Sequence, residues 1–380
     1  MDPHSQIARR FPLIPRFRPA CLPLSDRVQA LVALADTAWD TGDNGIASAV
    51  FNQSALIASD IGMPDLAREL CHRHAAAYLR ACPLPSMNAI RGLEPVVNLA
   101  RLRIRAGAGD EGREQLLRLY NAVRTGTAAQ FEGVSVPAQL TASPDERQEV
   151  WAWLWRVLLA DGTRTLTSAG RWTEALAHIK AHQGVGKRML DGRQVAILAA
   201  LTTGEADSTA TLLMETEPGD PWEQAVTACL TVLCRQDVGH PVDHHLRELV
   251  NTYLGHEAGH GTTVFDVRLG LTFLDIIGSA DGLPARRIAD DIHRRTVSAA
   301  DGYAAREVLA HPFFATLTTY QQVQDCHALV RACALGNGAL APELRRALTD
   351  ALRASERVIQ TSLQQHPIQE VLQKALDSEL

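Results

Sequence analysis

Apolar side chains recur along most of this chain at three- and four-residue intervals, the spacing that gathers them on one face of an α-helix. After Ser25-Asp26, a pair with N-cap chemistry, Val28, Leu31, Val32, Leu34 and Ala35 keep that spacing, and the run stops at Thr41-Gly42. A second helix is expected over 45–60, ending before Gly62, and a third from Met63-Pro64-Asp65 to Arg80. The connections are very short, which makes consecutive helices antiparallel neighbours. From about Ala341 the pattern predicts one or two amphipathic helices through Leu380, broken near Gln364-Gln365-His366-Pro367. The predicted fold class is all-α.

Between Ala35 and Phe51 the chain reads ADTAWDTGDNGIASAVF, with Gly42-Asp43 at a turn, the small Ala47 five positions on and the aromatic Phe51 four beyond that. The small residue lets two helices approach, and the aromatic fills the gap beside it. Gly170, Ala175 and Ile179 repeat the pattern, as do Gly204, Thr209 and Leu213 with a less compact small residue. Gly170 and Gly204 are 34 residues apart, Gly204 and Gly239 are 35 apart, and Gly239 and Gly282 are 43 apart. These segments resemble tetratricopeptide repeats, whose period is about 34 residues. The resemblance covers 25–205, and more weakly 205–300. It implies helix–turn–helix units stacked in a right-handed superhelical array. Tryptophan and tyrosine are missing from the first helix of most units, and the terminal proline is irregular.

On this reading the chain divides into a flexible basic arm (1–24), N-terminal helical repeats (25–124), a long loop (125–147), repeats with an insertion at 255–263 (148–300) and C-terminal helices (301–380). The loop has no helical period, and a loop of that length is expected to be functional or mobile. Val150-Trp151-Ala152-Trp153-Leu154-Trp155 follows it, with Trp151 and Trp155 on one helix face.

Composition changes this picture little. Of 380 residues, 46% are hydrophobic and only 5% aromatic, which suits closely packed helices. A net charge of −6 argues against nucleic-acid binding. Lys180, Lys187 and Lys374 are the only lysines, a bias that suggests a high-GC bacterial gene. Seven cysteines without a CxxC pair, in a chain this large, read as buried thiols rather than a disulfide frame. Prolines and arginines interrupt the N-terminal region, and no run of about 18 apolar residues occurs. The expected compartment is therefore the cytoplasm, with no membrane partner.

Several motifs could carry chemistry. His256-Glu257-Ala258-Gly259-His260 contains H-E-x-x-H and resembles the signature of zinc peptidases. On a helix His256 and His260 would face one metal, with Glu257 as base for the bound water. Gly255, Gly259 and Gly261 weaken any such helix by about 1 kcal/mol each. His240, His244 and His245, with Asp243 and Cys234, make the neighbourhood a candidate for transition-metal binding. Asp290-Asp291 resembles the start of a terpene-synthase box, but Arg294 stands at the third acidic position. A solvated helix face is expected there. Gly184-Val185-Gly186-Lys187-Arg188 lacks the leading glycine and the Ser/Thr of a phosphate loop. Cys71 and His74, at i,i+3, read as a structural pair, and Arg9, Arg10, Arg16 and Arg18 give the arm its charge.

The repeat resemblance implies a concave surface lined by the first helix of each pair. Register places Gln29, Asp36, Trp39 and Asp40 there in one unit, and Asp191 and Gln194 in another. Trp151 and Trp155 are added as aromatic anchors. This combination suits a protein or peptide ligand. The chain is expected to be a non-catalytic scaffold or regulatory protein of a bacterial pathway, working without a cofactor and compatible with a homodimer. The competing expectation is a zinc-dependent hydrolase built on His256, Glu257 and His260.

Overall fold

The computed structural model describes residues 1–256, 259, 261–278 and 282–377, with side chains through residue 365. Helices α1 (Gln6–Arg10), α2 (Leu24–Thr41), α3 (Asn44–Asp60), α4 (Pro64–Leu79), α5 (Ser86–Arg105) and α6 (Gly109–Thr125) precede a hairpin of β1 (Ala129–Phe131) and β2 (Val134–Val136). Next come α7 (Pro144–Val157), a π turn (Leu158–Gly162), α8 (Thr163–Ser168), α9 (Trp172–Ala181), α10 (Asp191–Thr203), α11 (Ala206–Met214) and α12 (Pro221–Asp237). The remainder is α13 (Asp243–Gly255), α14 (Thr263–Ile277), α15 (Leu283–Ser298), α16 (Gly302–Leu309), α17 (Phe314–Leu317), α18 (Tyr320–Ala332) and α19 (Pro342–Asp377). The fold is all-helical apart from the hairpin, and no helix among the described residues is long and apolar enough to cross a membrane. Two compact units form, one from residues 24–161 and 334–380, the other from 1–23 and 162–333. We call them the hairpin unit and the strap unit.

In the hairpin unit each helix from α2 to α7 packs on the next. In addition α3 meets α5 and α5 meets α7, so alternate helices share a layer. The turn between α2 and α3 shows why. Gly42 adopts φ +68°, a conformation that costs a side chain little only when the side chain is absent. Asp43 then caps α3 by accepting from the Gly45 and Ile46 amides. Ala47 and Phe51 are buried, with the Phe51 ring stacked on His74 at 5.1 Å. Gly92 lets α4 and α5 close up, since a Cβ there would lie 2.9 Å from Tyr78 Cβ. Helix α19 covers α2, α3 and α4 and contributes Leu348, Leu352 and Ile359 to the core.

The expected irregular loop is different. Residues 129–136 alternate, with Phe131, Val134 and Val136 buried and Gln130 and Ser135 exposed, a period-two pattern hidden among small polar residues. Glu132 and Gly133, both at positive φ, turn the hairpin. Arg103 and Arg68 hold the Glu132 carboxylate. Helix α7 starts at Pro144, inside the expected loop, because Ser143 and Glu146 form a capping box. The C-terminal helix continues past Gln364–Pro367, where a break is expected.

In the strap unit Gly170, Gly204, Gly239 and Gly278 all have positive φ. They separate α8 from α9, α10 from α11, α12 from α13, and α14 from α15. Gly278 therefore takes the turn expected of Gly282, which instead precedes α15 with φ −89°. Alternate helices again touch, as α10 does α12 and α13 does α15.

The first 23 residues are not a loose arm. Phe11, Leu13 and Cys21 are buried in the strap unit. Asp301 accepts from the Cys21 amide at 3.1 Å, and the Cys21 carbonyl accepts from Gly302 N. Two of the segment's arginines pair with acids of the same unit. Arg10 lies 3.6 Å from Asp275, which also accepts from buried His311 at 3.1 Å. Arg16 pairs with Asp191 at 3.3 Å. Unit boundaries thus differ from the sequence reading: the stretch 301–380 divides at Cys333, and the hairpin belongs to one unit instead of separating two.

Candidate functional site

On α5, Asn88, Arg91, Glu94, Asn98 and Arg101 succeed one another at three- and four-residue steps, a single polar stripe down one helix face. Helix α3 presents Asn44, Ser48 and Asn52 at four-residue steps toward it. The two stripes interlock. Asn44 Nδ2 donates to Asn88 Oδ1 at 3.3 Å, and Arg91 donates to Asn44. Asn52 Nδ2 donates to Glu94 Oε2 at 2.6 Å, while Asn98 Nδ2 donates to Asn52 Oδ1 at 3.0 Å. Arg101 closes the ladder by donating to Asn98 and to Asp161 Oδ2, at 3.1 Å and 2.8 Å. Gly45 makes room for it, because a Cβ there would stand 2.3 Å from the Arg91 guanidinium.

Above the ladder runs a groove of about 460 Å³, with Leu34 of α2, Ile46 and Asn52 of α3, and Met87, Arg91 and Glu94 of α5 along its walls. Met87 is 55% exposed. Asn52, Arg91, Glu94 and Asn98 are half-buried, so they are ordered yet reachable. A primary amide has two N–H donors and two carbonyl lone pairs. Asn52, which lines the groove, spends one donor and one acceptor on the ladder, leaving the others for a visitor, while Asn98 braces it. Burial raises the Glu94 carboxyl above its ordinary value, against the pull of the Asn52 hydrogen bond and of Arg91 and Arg101.

Ser48 also lines this groove and shares a 2.6 Å hydrogen bond with His74 Nε2. The pair has the outline of a nucleophile and base. Full burial pushes the His74 imidazole down to about 3, so accepting a proton from Ser48 would place a desolvated cation in the core. The arrangement fits a polar pin between α3 and α4 and not an activated serine. Cys71 is likewise inert, its thiol pushed up to about 12 by burial first and by Glu132 second.

The residues expected from register fall elsewhere. Gln29, Asp36, Trp39 and Asp40 are at the surface of α2, with Trp39 56% exposed, but none lines the groove. Asp191 is tied to Arg16, and Gln194 is fully buried, donating to the Met189 carbonyl at 2.8 Å, so it is not a surface contact. Trp151 and Trp155 are half-buried against the core of the hairpin unit, with Trp151 packed on Tyr120 at 5.5 Å. In the metal motif, α13 ends at Gly255 and His256 is extended, with ψ 124°. It leaves the helix before the motif begins, and its Nε2 lies 3.8 Å from Asp266. Glu257 and His260 lie outside the described residues. His244 faces Glu248 of its own helix at 4.0 Å. Asp290 accepts from Gln322 at the surface, as expected of a solvated face, but Asp291 is buried and paired with Arg294 and Arg295.

The α5 stripe was within reach of sequence reasoning, since its five polar side chains keep helical register. They resemble any solvated face until α3 is seen opposite. Among known proteins, no family model, curated protein or solved structure matches this chain.

Proposed function

We propose that the hairpin unit is a polypeptide-binding module, in which the groove between α3 and α5 holds an extended segment by its main chain. One observation carries the reading: the asparagine, arginine and glutamate ladder is pre-organised by its own hydrogen bonds, yet Asn52, which lines the groove, keeps one unused amide donor and one unused acceptor. Every peptide backbone offers one donor and one acceptor per residue, which the spare Asn52 valences can meet whatever the side chains. Leu34, Ile46 and Met87 supply an apolar wall for one anchor side chain. Alternating layers of antiparallel helices support a tetratricopeptide-like stack, with the second helix of each pair, not the first, presenting the ligand face. The role is that of a scaffold or regulator without its own chemistry. A zinc hydrolase is disfavoured by the helix end at Gly255.

The test is an array of immobilised peptides probed with the intact chain. Binding of a subset sharing one apolar residue is expected. Asn52→Leu and Met87→Asp should each weaken that binding by about tenfold or more, the cost of an unmade buried hydrogen bond and of a lost anchor. Selection of no peptide, or capture by both variants undiminished from the parent, contradicts the proposal.

A further inference from the structure

The strap unit holds a second, larger concavity of about 980 Å³. Small-molecule pockets span about 300–1,000 Å³, so it is roomy for a metabolite rather than for a lone ion. Its walls come from the strap segment 17–22, the end of α13 and the C-terminal turns of α15.

The chemistry of the walls is lopsided. Arg18, Arg294 and Arg295 all line the cavity. Arg294 and Arg295 share a single carboxylate, that of Asp291. Arg18 has no ion-pair partner among the described residues. Its guanidinium carbon lies over the Tyr303 ring, 3.6 Å from the centroid, and its amide is fixed by the Gly261 carbonyl at 3.0 Å. Asp301 also lines the cavity, but its Oδ1 already accepts from the Cys21 and Tyr303 amides. Among the described residues, three guanidinium groups and the His256 imidazole thus line the cavity with one carboxylate, that of Asp301, while Asp291 pairs with Arg294 and Arg295 and Asp266 lies 3.8 Å from His256. Arg295 is 3% exposed and is held by the Tyr253 and His256 carbonyls through Nη2, and its buried Nη1 has no hydrogen-bond partner among the described residues.

The lining also includes apolar side chains. Phe17 is 68% exposed, and its ring lies on the bare Cα of Gly261, where a Cβ would come within 2.5 Å of it. Leu22 and Leu254 extend that wall. Exposed apolar side chains beside guanidinium groups in one concavity describe a complementary molecule: an anionic head on an apolar body. Guanidinium groups favour planar or tetrahedral oxyanions, which they grip through two N–H groups at once.

We infer that the strap unit binds a small organic anion, a carboxylate or phosphate ester with an apolar portion. The head lies among Arg18, Arg294 and Arg295, and the body against Phe17, Leu22 and Leu254. This site is separate from the α3–α5 groove and stands whether or not that groove takes a peptide.

Ligand-observed NMR titration of the intact chain tests it with benzoate, phenyl phosphate, neutral benzamide and inorganic phosphate. The first two should compete for one site, with benzamide and inorganic phosphate each weaker by about tenfold or more. Tighter binding of phenyl phosphate assigns a phosphate head, and tighter binding of benzoate a carboxylate. Arg18→Gln should reduce affinity by about tenfold, and Arg18→Lys should restore part of it. Arg294→Gln, a change at a guanidinium 64% exposed, gives the same readout if the first variant fails to fold. Benzamide binding as well as benzoate, inorganic phosphate binding as well as phenyl phosphate, or affinities indifferent to both arginine changes would overturn the inference.

Discussion

Two titratable side chains in the hairpin unit, buried His74 and half-buried Glu94, have opposite consequences. His74 is neutral in the fold, its imidazole held down to about 3 against an unfolded value of 6.5. Between those values the unfolded chain binds a proton that the folded chain refuses, so stability falls as pH drops through this window. The slope from this one group is at most about 1.4 kcal/mol per pH unit. Denaturant unfolding between pH 4 and 7 should therefore show a shallower acid loss for His74→Gln than for the parent; parallel curves would contradict the assignment. Glu94 is raised instead, by burial first. Its ionisation weakens the fold at neutral pH, and that penalty vanishes as pH falls below the ordinary carboxylate value of 4.5. Glu94→Gln should raise Tm at pH 7 by about 1–3 °C, with the gain shrinking at low pH, while peptide capture declines. A residue that costs stability and lines a groove is what a binding role would retain.

Elements differ in how much of them could be read from the chain. Gly42, Asp43, Ala47 and Phe51 predicted the α2–α3 turn because each does a local job: positive φ, capping, close approach and gap filling. The same logic identifies Gly92, whose missing side chain sets the α4–α5 contact. Gly92→Ala should destabilise the hairpin unit by about 1–3 kcal/mol, measurable as a lowered denaturation midpoint at unchanged m-value. Ile359, fully buried on α19, should cost about 2–5 kcal/mol when cut to Ala. An unchanged midpoint in that variant would mean that α19 is not part of the core. The hairpin was missed because only Phe131, Val134 and Val136 carry its period, too few to stand out from surrounding small residues. The strap was missed because Phe11 and Leu13 are separated by Pro12 and flanked by arginines, a composition typical of tails. What holds it is distant in sequence: Asp275, His311 and Asp301.

At the scale of the whole molecule, the same economy appears twice. Each unit layers antiparallel helices so that alternate ones touch, and each is completed by a segment from far along the chain, α19 in one and residues 1–23 in the other. Local patterns predict helices and turns well. They say little about which remote segment closes a unit, because that depends on apolar faces that match only in three dimensions. The candidate groove shares this property. Asn52 looks like a surface residue of α3 until Glu94 and Asn98 of the facing stripe are placed beside it. Function in this account follows from main-chain recognition by that ladder, so the most direct measurement acts on the ligand backbone. A peptide selected on the array should be titrated calorimetrically against copies N-methylated at successive amides. Loss of about tenfold or more in affinity at central amides is expected, because each methyl removes a donor and blocks close approach. Undiminished affinity across the methylated series would show that the groove does not read a peptide backbone.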